Sequence, residues 1–262
     1  MAIWRRTIKA GNTIEVREGI KSDRRGAPGK GRRLRTRPTS EQQEKINRAR
    51  QLERATVLIN ANFGWGDIHL TLDYRPDARP GDRKTAEKNL NNFIRRLNYW
   101  ADKEELQIKR FSVTEVGKRG ALHHHLILTG GIPNEKLMEL WPFGRIHVTP
   151  LEKNGDYKKL AEYLIKKTDW EFENVEAMKG KRRYNTSQNL VRPEPKTRDL
   201  KQKRVNMNPK PWKGYYIPKE SIYCSLDPYT GSEYLTYRMV KIIPEFEYRK
   251  KYRKYRRKRL CI

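Results

Sequence analysis

The stretch QIKRFSVTEVGKRGALHHHLILTGG (107–131) decides how the middle of this chain folds. Its first half reads as a strand, with Ile108, and then, after a change of phase, Phe111, Val113 and Glu115. GKRG (117–120) is a tight-turn signal, and ALHHHLILTG returns as the second strand of a hairpin. Residues two apart on a strand share a face, so His123 and His125 point together while His124 points away. Glu115 stands eight residues before His123. Folding about the turn brings it beside the histidine pair. Two imidazoles and one carboxylate with open positions suit a divalent ion that also holds substrate oxygens. The plainer alternative is a polar strand face whose histidines only hydrogen-bond.

Outward from the hairpin the periodicity switches several times. GDIHLTLDY (66–74) alternates, with Ile68, Leu70 and Leu72 on one face and His69, Thr71 and Asp73 on the other. After the turn-rich RPDARPGD, the run KTAEKNLNNFIRRLNYWADKEEL places Leu90, Phe93, Ile94, Leu97 and Trp100 at helical spacing. Downstream, NEKLMELWP reads as a short helix and GRIHVTPLE as a strand. GDYKKLAEYLIKKTD reads as an amphipathic helix with Tyr157, Leu160 and Leu164 on its apolar side. The order β-α-β-β-α-β-α over 66–169 predicts an α+β fold, a central antiparallel sheet with helices packed on one face.

On the last helix Tyr163, Lys166 and Lys167 fall at i, i+3 and i+4 and lie along one face. A tyrosine hydroxyl is a poor nucleophile at its normal pKa of ~10, and a neighbouring ammonium or metal ion favours the phenolate. A core-edge tyrosine beside surface lysines is the alternative. Taken with the histidine pair, the pattern fits a metal ion polarising a phosphodiester while tyrosine attacks in line. The product is a phosphotyrosine ester and a free 3′ hydroxyl.

Charge supports that substrate. The 262 residues carry 59 Lys/Arg against 31 Asp/Glu, a formal net charge of +28, with a mean hydropathy of −1.01. Such an excess answers a polyanion, nucleic acid first. No apolar run is long enough to span a bilayer, and MAIWRRTIKAGN lacks a signal-peptide core. Cys224 and Cys261 form no CxxC pair. The expectation is a cytoplasmic, reducing setting and no membrane partner.

The flanks are basic. Residues 1–65 read as a partly flexible arm, with 16 Lys/Arg against 6 Asp/Glu in 1–54. Within it SDRRGAPGKGRRLRTRPTS (22–40) has no periodicity, and a short exposed helix begins after Ser40, capped with Gln43. Residues 170–247 read as a basic, largely irregular extension that ends in a hairpin, IYCSLDPYTGSEYLTYRMVKI. The tail, 248–262, contains YRKKYRKYRRKR, nine Lys/Arg in twelve residues with Tyr248, Tyr252 and Tyr255 interleaved. Candidate DNA contacts are Lys181, Arg182 and Arg183 in the extension and Arg253, Lys254, Arg256 and Arg257 in the tail. A solubility role for the arms is the alternative.

HLTLDY (69–74), GALHHHLIL and EYLIKK, in that order, resemble the three motifs of the HUH endonuclease family. They are most similar to those of rolling-circle replication initiator (Rep) proteins of plasmids and phages. KRRYNTSQNL resembles a basic extension of Rep-like proteins from Gram-positive bacteria and their mobile elements. The chain departs from the family pattern at His124, where an apolar residue is usual, and at Asp73, where threonine is common. The resemblance covers about 66–169 and implies an RRM-like sheet domain with basic terminal extensions. It also implies His123, His125 and Glu115 as ligands of Mg²⁺ or Mn²⁺, Tyr163 as the nucleophile and Lys166 as its partner, with Lys167 the other candidate. The implied reaction is nicking of single-stranded DNA at a replication origin, with a covalent 5′-phosphotyrosine link and later rejoining. A host helicase and polymerase are implied as partners, because no G-x-x-x-x-G-K-[ST] loop is present. A relaxase or single-strand transposase would share the chemistry. A non-catalytic nucleic-acid-binding protein would share only the charge.

Overall fold

The computed structural model describes residues 3–20, 41–116, 121–175, 178, 181–202, 204–226 and 233–243. The chain divides into two compact units, residues 1–48 with 193–262, and residues 49–192. The GKRG turn, the Ser40 cap, the segment 22–40, the DPYTG turn and the basic tail fall outside the described residues.

The 49–192 unit is built on a five-stranded antiparallel sheet. Its strands are β3 (Ile68–Asp73), β4 (Arg110–Val116), β5 (Leu122–Leu128), β6 (Ile146–Pro150) and the short β7 (Asn185–Thr186). They lie in the order β6-β3-β5-β4-β7. β4 and β5 pair with Glu115 opposite His123 and Val113 opposite His125. On the other side β5 pairs with β3, which sets Asp73 opposite His123 and Thr71 opposite His125.

Helices cover both faces of this sheet, where the sequence pattern suggested one. α2 (Arg83–Lys103) is capped by Asp82, whose carboxylate accepts from the Thr85 amide. It buries Ala86, Leu90, Phe93, Leu97 and Ala101. These side chains join Leu70, Leu72, Leu126 and Leu128 of the sheet, together with Leu137 and Leu140 of α3 (Asn134–Leu140). The second face carries Phe111, Val113 and Ile127. Ala55 and Ile59 of α1 (Glu41–Asn62) and Ala161, Leu164 and Ile165 of α4 (Lys158–Lys166) pack on it, with Phe63 just past α1. The helix expected to be short and exposed is thus 22 residues long and buries its C-terminal half. Its charged first half, EQQEKINRAR, masked that role. α5 (Asp169–Asn174) follows α4. Tyr157 is the residue before α4 and not part of its apolar stripe. It is buried, and its hydroxyl donates to the Glu152 carbonyl. Where β5 ends, Gly130 lies so close to the Gly66 carbonyl that a Cβ there would collide with it.

The other unit holds a second antiparallel sheet. β1 (Ile3–Ala10) and β2 (Thr13–Ile20) form a hairpin at the start of the chain, inside the stretch read as an arm. β8 (Lys196–Leu200) flanks β1, and β11 (Glu233–Lys241) flanks β2. β10 (Tyr223–Leu226) and β9 (Tyr215–Tyr216) pair with β11. The expected C-terminal hairpin is β10–β11. Ile3, Ile14, Val16, Leu235, Tyr237 and Met239 form this unit's core. Three charged residues in the eight of β1, Arg5, Arg6 and Lys9, hid its alternation from a hydrophobicity reading.

Candidate active site

Strand register gathers polar side chains on the α4 side of the sheet. β3 contributes His69, Thr71 and Asp73, β5 contributes His123 and His125, and β4 contributes Glu115. His124 takes the opposite face. It is fully buried there between Tyr74 and Thr114, whose hydroxyls lie 3.0 Å from Nε2 and Nδ1 respectively. Burial first, then the charges of Arg83, His125 and His123, pushes its pKa down to about 3. It is therefore a neutral core imidazole, edge-on to Trp141.

His123 and His125 are each gripped from behind. The Nδ1–H of His123 donates to Asp73 Oδ1 at 2.6 Å. The Nδ1 of His125 lies 3.2 Å from the Thr71 hydroxyl. Its Nε2 lies 3.0 Å from Glu115 Oε2. These are the partners that fix an imidazole's orientation in metal sites, leaving the far nitrogen for the metal. The donor set, two imidazole nitrogens and a carboxylate, fits a divalent ion in kind. Among the described residues, no three His, Cys, Asp or Glu side chains converge as a ligand group. His125 and Glu115 face each other, while His123 is turned to Asp73.

Tyr163 on α4 stands over this cluster. Its ring is edge-on to His125 at 5.7 Å and to His69 at 6.2 Å, and the residue is 44% exposed. Lys167, the residue that closes α4, reaches Glu115 at 3.3 Å and lies 5.1 Å from the Tyr163 ring centre. Burial opposes the charge of this ammonium, but Glu115 outweighs it, and the Lys167 pKa rises. Glu115 shows the reciprocal effect. Burial alone would raise its pKa, but the His125 hydrogen bond and the Lys167 charge leave it below the usual carboxylate range. Lys166 lies on the exposed side of the helix. Of the two lysines, it is Lys167 that touches the cluster.

Asp73, Thr71 and His69 do not stand out in the sequence as site residues. Their alternation puts them on the polar face of β3, but only the β3–β5 register shows what that face meets. His69 stacks on His125 at 5.6 Å, and its buried Nε2 has no hydrogen-bond partner. Burial, then the charges of His125 and His147, pushes its pKa down to about 4. Among the expected DNA contacts, Lys181 and Arg182 are exposed. Arg183 is held by Asp169 at 2.7 Å and lies over the Phe172 ring at 4.5 Å, which makes it an internal brace.

Residues 67–168 match the family model of the replication-associated protein ORF2. The match supports a Rep-type, replication-associated role, and DNA as the partner that goes with it. It spans β3 to the end of α4, and so contains every residue of the cluster just described. No curated protein and no solved structure matches the chain. Among the described residues, no helix is long and apolar enough to cross a membrane.

Proposed function

We propose that this protein is a replication initiator that nicks and rejoins single-stranded DNA at a rolling-circle origin, with Tyr163 as the nucleophile. The observation that carries the reading is the meeting of three separate sequence segments. Tyr163 of α4, His125 of β5 and the Glu115–Lys167 pair lie together on one face of one sheet.

In this reading the Tyr163 hydroxyl loses its proton and its oxygen attacks the scissile phosphorus. The bond from phosphorus to the 3′ oxygen breaks, and that oxygen leaves as a 3′ hydroxyl after gaining a proton. The downstream strand stays on the enzyme as a 5′-phosphotyrosine ester. Attack by a 3′ hydroxyl reverses the step and rejoins the strand. Lys167 is placed beside the ring to favour the phenolate, and Glu115 holds that ammonium in place. His123, His125 and Glu115 would hold a divalent ion, Mg²⁺ or Mn²⁺. When bound, such an ion supplies Lewis-acid polarisation of the phosphodiester. Asp73 and Thr71 orient the two imidazoles.

The half-exposed position of Tyr163 leaves room for a strand to reach it. A relaxase or single-strand transposase would use the same residues and differ in the DNA it selects. The reading is tested with a randomised single-stranded DNA pool incubated with Mn²⁺, from which detergent-resistant complexes are recovered and sequenced. The expected result is one enriched sequence, cut to leave an extendable 3′ hydroxyl upstream and protein on the downstream 5′ end. Failure to recover any covalent complex would sink the nicking reading and favour simple binding.

A further inference from the structure

The second sheet carries an ordered surface that lies outside the segment matched by the family model. On the side of the sheet away from its core, two neighbouring rows of side chains cross the strands. One row runs Trp4 (β1), Gly19 (β2), Tyr234 (β11) and Ser225 (β10). The next runs Arg6, Arg17, Thr236 and Tyr223 over the same strands.

Gly19 has a specific part in the first row. A Cβ there would come within 2.9 Å of the Trp4 indole, so the ring lies down on the Gly19 backbone. The Arg17 guanidinium sits over the Tyr234 ring at 4.5 Å, and Tyr223 stands 6.3 Å from Tyr234. Tyr223 is 58% exposed, and Trp4, Arg6, Arg17 and Tyr234 are partly exposed. Two acids share this side. Glu15 lies 3.9 Å from Arg238, and Asp199 stands opposite Trp4 on the edge strand.

We infer that this face binds single-stranded DNA, with bases stacking on Trp4, Tyr234 and Tyr223 and phosphates held by Arg6 and Arg17. Aromatic rings on a sheet interleaved with guanidinium groups are what unpaired bases and their backbone need. Trp4 and Tyr234 are separated by two strand spacings, roughly 10 Å, so successive bases have separate platforms. A duplex hides its base faces and cannot use such a surface. The excess of positive charge, +28 over the chain, favours a polyanion. The choice of DNA over RNA rests on the replication role. The surface itself is independent of the nicking chemistry at Tyr163.

The test uses the full chain and a short fluorescent oligothymidine at about 150 mM salt, where free-standing charge attraction is screened. Tyr223→Ala is expected to weaken binding about five-fold or more, the size of one lost base stack. Tyr223→Phe, which keeps the ring, is expected to stay within about two-fold of wild type. An oligonucleotide carrying 5-iododeoxyuridine is expected to crosslink under ultraviolet light to peptides containing Trp4, Tyr223 or Tyr234. The same crosslinks are expected from Tyr163→Phe protein, so their presence without any covalent tyrosine adduct would sink the nicking reading and leave this one standing. Unchanged affinity in Tyr223→Ala, with crosslinks only elsewhere, would overturn the inference. So would oligouridine or polyglutamate competing as well as oligothymidine.

Discussion

At the scale of single residues, the site depends on side chains that hold other side chains. Asp73 fixes His123 from behind. Losing an outer partner of a ligand histidine commonly costs about 10–100-fold in metal affinity. Asp73→Asn should therefore weaken Mn²⁺ binding by that amount, measured by titration calorimetry, with the circular dichroism spectrum unchanged. Unaltered affinity would mean that His123 is not a ligand. The two lysines separate just as cleanly. Lys167→Met should slow adduct formation by about 10²-fold, the usual cost of losing one charge-stabilising donor. Lys166→Met should stay within about three-fold of wild type. The reverse ranking in a time course would restore Lys166 as the assisting residue. The split of the three histidines into a pair and an outsider was legible in the sequence, because strand alternation admits no other division. The choice between the lysines was not. A helix places i+3 and i+4 on nearly the same face, and only the position of Glu115 distinguishes them.

At the scale of elements, the hairpin is the part that the sequence stated most clearly. The turn signal and the alternation on both sides placed Glu115 against the histidine pair, and the register of β4 with β5 does so. Less visible was the pairing of β3 with β5, which no local pattern encodes. That pairing makes Asp73 and Thr71 partners of the histidines, although residues 73 and 123 are fifty positions apart. β1 and β2 escaped notice because their sheet face is lined with arginines. Putting His124 inside the α2 side of the sheet has a measurable consequence. Its folded pKa is about 3 against a usual 6.5, so below pH 6.5 the unfolded chain takes up a proton that the folded chain refuses. Stability should therefore be full above pH 6.5 and decline as pH falls towards 3. For this one imidazole the loss between pH 7 and pH 5 is about 2 kcal/mol. Urea denaturation at the two pH values reads it directly. The drop should shrink in His124→Gln, and an equal drop in the variant would place its origin in other groups.

At the scale of the whole molecule, composition announced a polyanion partner, and the family match supports a replication-associated role. Composition did not show that the basic residues divide between an ordered sheet and the segments around it. The twelve residues 248–259 hold nine Lys/Arg. If they neutralise phosphates, deleting them should reduce the slope of log affinity against log salt for single-stranded DNA by about 0.7 for each phosphate set free. Anisotropy titrations over a salt series measure that slope, and no change would assign the tail to solubility. The central claim is covalent chemistry at Tyr163. The most direct measurement is mass spectrometry of the digested adduct formed with the DNA sequence selected in the presence of Mn²⁺. A nucleotide phosphate on the peptide containing Tyr163, absent from Tyr163→Phe protein, is the result predicted. An adduct that survives Tyr163→Phe, or maps to another residue, would contradict it.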